Sequence, residues 1–139
     1  MNLDALRASD LMSTKVATAE PHESLRLAVR RMAEHRIHCL LVSPTTPGHG
    51  IGILTGKDCI QVVADAGPNG LDELCVEDAM TRPAISVPAD LCIADCLRLM
   101  RMAGVRTAPV LDGPKRVGIL SFTDVLDRIA RDPDPGGPD

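Results

Sequence analysis

The sequence predicts an α/β protein made of one unit used twice, each copy running strand, helix, strand, strand, helix. Three observations predict it. The run Asp10-Leu11-Met12-Ser13 returns as Asp78-Ala79-Met80-Thr81, and Arg30, Met32 and Val42 return at the same offset of 68 residues as Arg98, Met100 and Val110. Gly52-Ile53-Leu54-Thr55-Gly56-Lys57-Asp58 then returns as Gly118-Ile119-Leu120-Ser121-Phe122-Thr123-Asp124, now at an offset of 66. The offset changes between Val42 and Gly52, where Pro44, Pro47, Gly48 and Gly50 mark a loop. Repeats whose insertions are confined to loops are one structural unit duplicated, and two copies make a pseudo-symmetric pair rather than a solenoid.

Val16 to Ala19 is a short extended run ended by Pro21, which cannot donate to a sheet ladder. Ser24 is placed to cap a helix, and Leu25, Ala28, Val29, Met32 and Ala33 then form a helical stripe with Arg26, Arg30, Arg31 and Glu34 off it. Cys39 to Val42 is an apolar strand, and Ile51 to Leu54 is a second one beyond the Pro/Gly loop. Thr55 caps the next helix, whose face carries Cys59, Ile60, Val63 and Ala64 until Gly67-Pro68 ends it. The second copy repeats the plan. Ala84 to Val87 is a strand ended by Pro88, and Ile93, Ala94, Leu97 and Met100 are the helical stripe, stopped by Gly104. Ala108 to Leu111 and Arg116 to Leu120 are strands, and Ser121 or Thr123 begins the last helix. The expected organisation is a first repeat at 8–67, a linker at 68–76 with a helical turn within Leu71–Asp78, a second repeat at 77–131 and a disordered tail at 132–139.

Composition narrows the functions open to this chain. With 139 residues and 45% hydrophobic content there is enough apolar material for a core. Phe122 is the one aromatic residue, so the stacking platforms that hold single-stranded nucleic acid are missing. A net charge of −4 argues against a broad duplex-binding surface. No apolar run approaches the length of a membrane span, and Met1-Asn2-Leu3-Asp4 lacks the form of a secretory signal. The expectation is a cytoplasmic protein that engages neither nucleic acid nor membrane. Cys39, Cys59, Cys75, Cys92 and Cys96 are an odd set that fits free thiols in a reducing compartment. Cys92 and Cys96, four apart on an expected helix, read as small core residues. Zinc would need further ligands from His35, His38 or Cys39, and no C-x-x-C pairing supports it.

The order of elements, the paired Gly-Ile-Leu-Thr-Gly-Lys-Asp and Gly-Ile-Leu-Ser-Phe-Thr-Asp motifs, and the leading Asp-Leu-Met-Ser and Asp-Ala-Met-Thr runs resemble a tandem pair of CBS domains. The resemblance covers roughly residues 8–131. It implies two sheets packed about a pseudo-two-fold axis, with clefts between the halves that take an adenosyl ligand. AMP, ADP or ATP is expected, and S-adenosylmethionine is a further option. Carried onto this chain, Asp58 and Asp124 would bond ribose hydroxyls, with Thr55 and Ser121 near the phosphates. His38 matches a phosphate-contacting His, Cys39 stands where Arg is common, and Arg106 is in register with His38. The strands around Thr18 and Ser86 resemble the base-binding edge. Lys57, replaced by Thr123 in the second copy, would give the two sites different charge preferences. The chemistry is sensible in itself, since a carboxylate can accept both hydroxyls of a cis-diol and a helix N-terminus favours phosphate. Ser/Thr-x-x-acid is equally the spacing of a capping box with no ligand.

Gly48-His49-Gly50-Ile51-Gly52 precedes a strand instead of joining a strand to a helix, which removes a dinucleotide-loop reading. His22, His35, His38 and His49 all lie in the first repeat and assemble no catalytic constellation. The resemblance therefore implies a non-catalytic regulatory module, a homodimer through exposed helices, that signals to a separate regulated protein by ligand-driven population shift. Two other classes remain open: a constitutive interaction module without ligand, and a thiol- or metal-based redox regulator using Cys39, Cys92 or Cys96.

Overall fold

The structure, a computed structural model, describes residues 2–44 and 50–132. The expected loop residues Pro47 and Gly48, His49 of the glycine-rich run, and the tail beyond Asp132 lie outside the described residues. In chain order the elements begin α1 (Ala8–Leu11), β1 (Thr18–Ala19), α2 (Leu25–His35), β2 (Cys39–Val42), β3 (Gly52–Thr55) and α3 (Gly56–Ala66). They continue with α4 (Gly70–Glu73), α5 (Val76–Ala79), β4 (Val87–Pro88), α6 (Ile93–Ala103), β5 (Thr107–Asp112), β6 (Lys115–Ser121) and α7 (Phe122–Arg131). This is the expected α/β plan of two repeats, each contributing a three-stranded sheet. The sheet orders are β1-β2-β3 and β4-β5-β6, with the first pair of each parallel and the second antiparallel.

The described residues divide into two compact units, one within 17–84 and one of 2–16 together with 85–132. In the first, Leu25, Ala28 and Met32 of α2 face Leu40, Val42 and Leu54 of the sheet. In the second, Ile93, Cys96 and Met100 of α6 face Val87, Val110 and Leu120. Leu25, Ala28, Met32, Ile93 and Met100 of the stripes read from the sequence are buried, Val29, Ala94 and Leu97 are half-buried, and Ala33 is exposed. Ser24 caps α2, its hydroxyl accepting the Leu27 N–H at 3.2 Å.

Several local expectations change. The segment 68–76, expected as a linker with a helical turn, holds α4 and is tied to the first unit: Leu71 is buried, Leu25 N–H donates to Leu74 C=O at 3.0 Å, and Arg26 pairs with Asp72. The outer strands are shorter than expected, reaching only Thr18–Ala19 and Val87–Pro88. Pro109, in register with Leu41, has no N–H to offer Ile85. Cys92 is the N-cap of α6 and not part of its face, so of these two cysteines only Cys96 is a core residue.

The leading runs gain a physical meaning. Each forms a helical turn, α1 or α5, begun by an aspartate: Asp10 Oδ2 accepts Arg7 N–H and Asp78 Oδ2 accepts Cys75 N–H, both at 2.8 Å. The chain then pairs briefly with the last strand of a sheet, β6 after α1 and β3 after α5. Ser13 and Ile119 exchange backbone hydrogen bonds at 2.8 and 2.9 Å, as do Thr81 and Ile53, both at 2.9 Å. The run that opens the first repeat thus packs in the same unit as the sheet of the second repeat.

Candidate functional site

In each unit the second strand of the hairpin turns directly into a helix, and the motif residues lie at that junction. Cys39 pairs with Thr55 across β2 and β3, and the preceding His38 C=O accepts the Gly56 N–H at 2.8 Å. Thr107 pairs with Ser121 across β5 and β6, and Arg106 C=O accepts the Phe122 N–H at 3.0 Å. The backbone of the expected basic residue is thereby fixed to the first residue of the motif helix in both units. The His38 and Arg106 side chains are exposed beside it, and Lys57 is exposed in the first turn of α3.

The capping reading of the motif is present in both copies. Thr55 Oγ1 accepts Asp58 N–H at 3.2 Å, and Asp58 Oδ2 accepts Thr55 N–H at 2.8 Å. Ser121 Oγ accepts Asp124 N–H at 3.1 Å, and Asp124 Oδ2 accepts Ser121 N–H at 2.9 Å. Each box uses one carboxylate oxygen. Among the described residues Oδ1 of Asp58 and of Asp124 has no hydrogen-bond partner, and both side chains are only half-buried. The second amide of each helix, on Lys57 and Thr123, has no carbonyl four residues back within the helix. The junction thus keeps a free carboxylate oxygen and a helix N-terminus together, with a basic residue alongside.

Thr18 lies in the same unit as His38, Thr55, Lys57 and Asp58, while Arg106, Ser121 and Asp124 share the other. Thr18 C=O already accepts from Arg31 Nη1 at 2.8 Å, a contact that sequence reasoning missed. An open hollow along α6, lined by Ala94, Leu97, Arg98, Arg101 and Met102, touches none of these residues.

Cys59 and Cys96 are buried, and burial raises both thiols, Cys96 to about 11. A buried thiol that stays protonated is a poor nucleophile and metal ligand. Among the described residues no three His, Cys, Asp or Glu side chains gather in a way that could hold a metal ion. No helix of the described residues is long and apolar enough to cross a membrane.

The family model for the CBS domain matches residues 8–65 and 76–131. An uncharacterized protein of Methanopyrus kandleri is 31% identical over 112 residues, which are 80% of this chain and 56% of that protein. The chain thus spans little more than half the length of that relative. A crystal structure of an uncharacterized conserved protein from Pyrococcus horikoshii superposes with a TM-score of 0.82 at 25% identity, covering 95% of this chain and 96% of the other. The CBS domain pair of protein MJ0100, in complex with 5′-methylthioadenosine and S-adenosyl-L-methionine, shares the fold, with a TM-score of 0.76 at 22% identity over 89% of this chain and 95% of that one.

Proposed function

The chain belongs to the CBS-domain family, as a tandem pair, and from that premise we propose that it is a non-catalytic sensor of an adenosyl ligand, of the AMP, ADP or ATP type, that signals to a partner protein. The observation that carries this reading is the duplicated junction. Each motif aspartate spends one oxygen on its own helix cap and keeps the other free beside an open helix N-terminus. In the proposed complex Asp58 or Asp124 accepts ribose hydroxyls through that oxygen. Thr55 and Ser121 set the helix start that faces the phosphates, and His38, Lys57 or Arg106 neutralises them. The strands at Thr18 and Ser86 are the candidate base edges. The adenosyl compounds held by the MJ0100 domain pair support this ligand class, and S-adenosylmethionine belongs to the same set of candidates.

The module has no need of chemistry of its own, since differential affinity for two arrangements is enough to shift a population. Ile60, Met102 and Leu126 are 67%, 83% and 64% exposed on α3, α6 and α7. These faces support association with a second copy, as a homodimer, and with the regulated protein. The thiols of Cys59, Cys75, Cys92 and Cys96 suit a cytoplasmic setting.

A thermal-shift panel of AMP, ADP, ATP and S-adenosylmethionine tests the reading. A ligand at 100 times its dissociation constant adds roughly 2.7 kcal/mol, on the order of 10 °C for a domain of this size. The ligand-induced shift, not the absolute midpoint, is compared among wild type, Asp58→Ala and Asp124→Ala, because each substitution also removes a cap. A shift abolished by at least one of them is expected; no shift with any of the four ligands turns the reading toward a constitutive interaction module.

A further inference from the structure

The two motif junctions are near twins, but the outer strands of their sheets are not. In the first unit Leu41 N–H donates to Ala17 C=O at 3.0 Å, and Thr18 pairs in register with Leu41. Successive residues of a strand turn their backbone groups to opposite sides, so the N–H and C=O of Thr18 itself face away from β2. The outward C=O is taken by Arg31 Nη1. Glu23 holds the same guanidinium through both carboxylate oxygens, at 3.1 Å to Nη1 and 2.6 Å to Nη2, and Glu20 N–H donates to Glu23 Oε1 at 2.8 Å. A two-pronged Arg–carboxylate pair is directional as well as strong. The Arg31 guanidinium holds the Glu23 carboxyl below its usual range.

The second unit has none of these groups. At the 68-residue offset Leu91 stands for Glu23, Leu99 for Arg31 and Pro109 for Leu41. Pro109 cannot donate to Ile85 C=O, and β4 begins only at Val87, opposite Val110. By the same alternation Ser86 turns its N–H and C=O outward, and among the described residues neither has a partner, where Thr18 C=O has Arg31. Ile85 beside it is 41% exposed.

Resting on the adenosyl-ligand reading, we propose that the two sites of this chain are not equivalent: the base is read at the open Ser86 edge, while the Arg31–Glu23 fork closes the Thr18 edge. The chemistry matches. Adenine presents an amine donor beside a ring-nitrogen acceptor, which is what one outward C=O and N–H pair can satisfy. Ile85 supplies apolar surface for the ring. The working site is then the one completed by Ser121 and Asp124, and Arg31 is a specificity-determining residue of the silent one.

Titration calorimetry of the full chain with AMP, and separately with S-adenosylmethionine, tests this. Wild type is expected to take one equivalent per chain, weakened at least about tenfold by Asp124→Ala, which removes a hydrogen bond to a charged group. Arg31→Leu, which opens the first edge, should add a second equivalent. Should Arg31→Leu fail to fold, Leu91→Glu combined with Leu99→Arg builds the fork on the second edge and should abolish the single equivalent. Two equivalents of equal affinity in wild type overturn the inference and leave the nucleotide reading standing. A single equivalent untouched by Asp124→Ala does the same. No heat with either ligand sinks both.

Discussion

Arg36 ends α2 with φ 53°, in the left-handed region where a side chain crowds the following carbonyl, and the matching residue that ends α6 is Gly104 with φ 73°. Both ends close the same way, with Ile37 N–H on Met32 C=O and Val105 N–H on Met100 C=O, each at 3.0 Å. Arg36→Gly should therefore stabilise the fold by about 0.5–1 kcal/mol, the relief of crowding being partly offset by the freedom glycine adds to the unfolded chain. A raised urea midpoint at unchanged slope would show it; a lowered midpoint would mean that the arginine side chain contributes more than its backbone costs. Cys96 supplies a second test at this scale. Its thiol, raised to about 11 by burial, loses its proton in the unfolded chain at a lower pH than in the folded one. Stability is then undiminished below about pH 8.5, the ordinary thiol range, and falls as the pH climbs toward the folded value. Cys96→Ala should flatten that fall in a thermal melt series. Some residue roles were legible in the sequence and others were not. Thr55–Asp58 and Ser121–Asp124 could be read because a cap closes within three residues. The grip of Arg31 on Glu23 and Thr18 could not, because it needs a helix laid against a particular strand edge.

At the scale of elements, periodicity placed α2 and α6 and the caps placed α3 and α7, but Ile60 and Ala64, expected on the packed face of α3, are exposed, and Val62 packs there with Cys59 and Val63. Periodicity could not show where the leading runs go, since the partners of Met12–Ser13 lie more than a hundred residues away in the chain. The trace they leave in the sequence is the repeated glycine. A Cβ on Gly118 would lie 2.6 Å from Met12 Sδ and 2.8 Å from Ser13 O, and one on Gly52 would lie 2.9 Å from Met80 Sδ. Gly118→Val should cost about 1–3 kcal/mol by overpacking. Met12→Ala in the same chain should not restore the loss, because the closer obstacle that remains is a backbone oxygen. Recovery by the double variant would show instead that the methionine alone sets the limit. Facing the strand that carries Pro109, β4 begins at Val87, one repeat position later than β1 at Thr18, a difference that depends on which strand stands opposite.

At the scale of the whole molecule, duplication gives two junctions of the same geometry, and divergence at a few positions separates the strand edges beside them. Ser121 and Asp124 repeat Thr55 and Asp58 almost atom for atom. Leu91 and Leu99 replace Glu23 and Arg31, which leaves the outward C=O of Ser86 without the partner that Thr18 has. On the proposed reading the chain responds to an adenosyl ligand through one of two similar sites, with the other closed by the Arg31–Glu23 pair. The Glu23–Arg31 pair also carries a pH dependence: with the Glu23 carboxyl lowered in the fold, its contribution is present at neutral pH and is lost as the pH falls below the ordinary range of glutamate. The most direct measurement follows the backbone amides by nuclear magnetic resonance while AMP, and then S-adenosylmethionine, is added. The account predicts progressive, saturable shifts at Thr123, Asp124 and Ser86, with Lys57, Asp58 and Thr18 changing little. Unmoved amides at both motif helices under saturating ligand would contradict it.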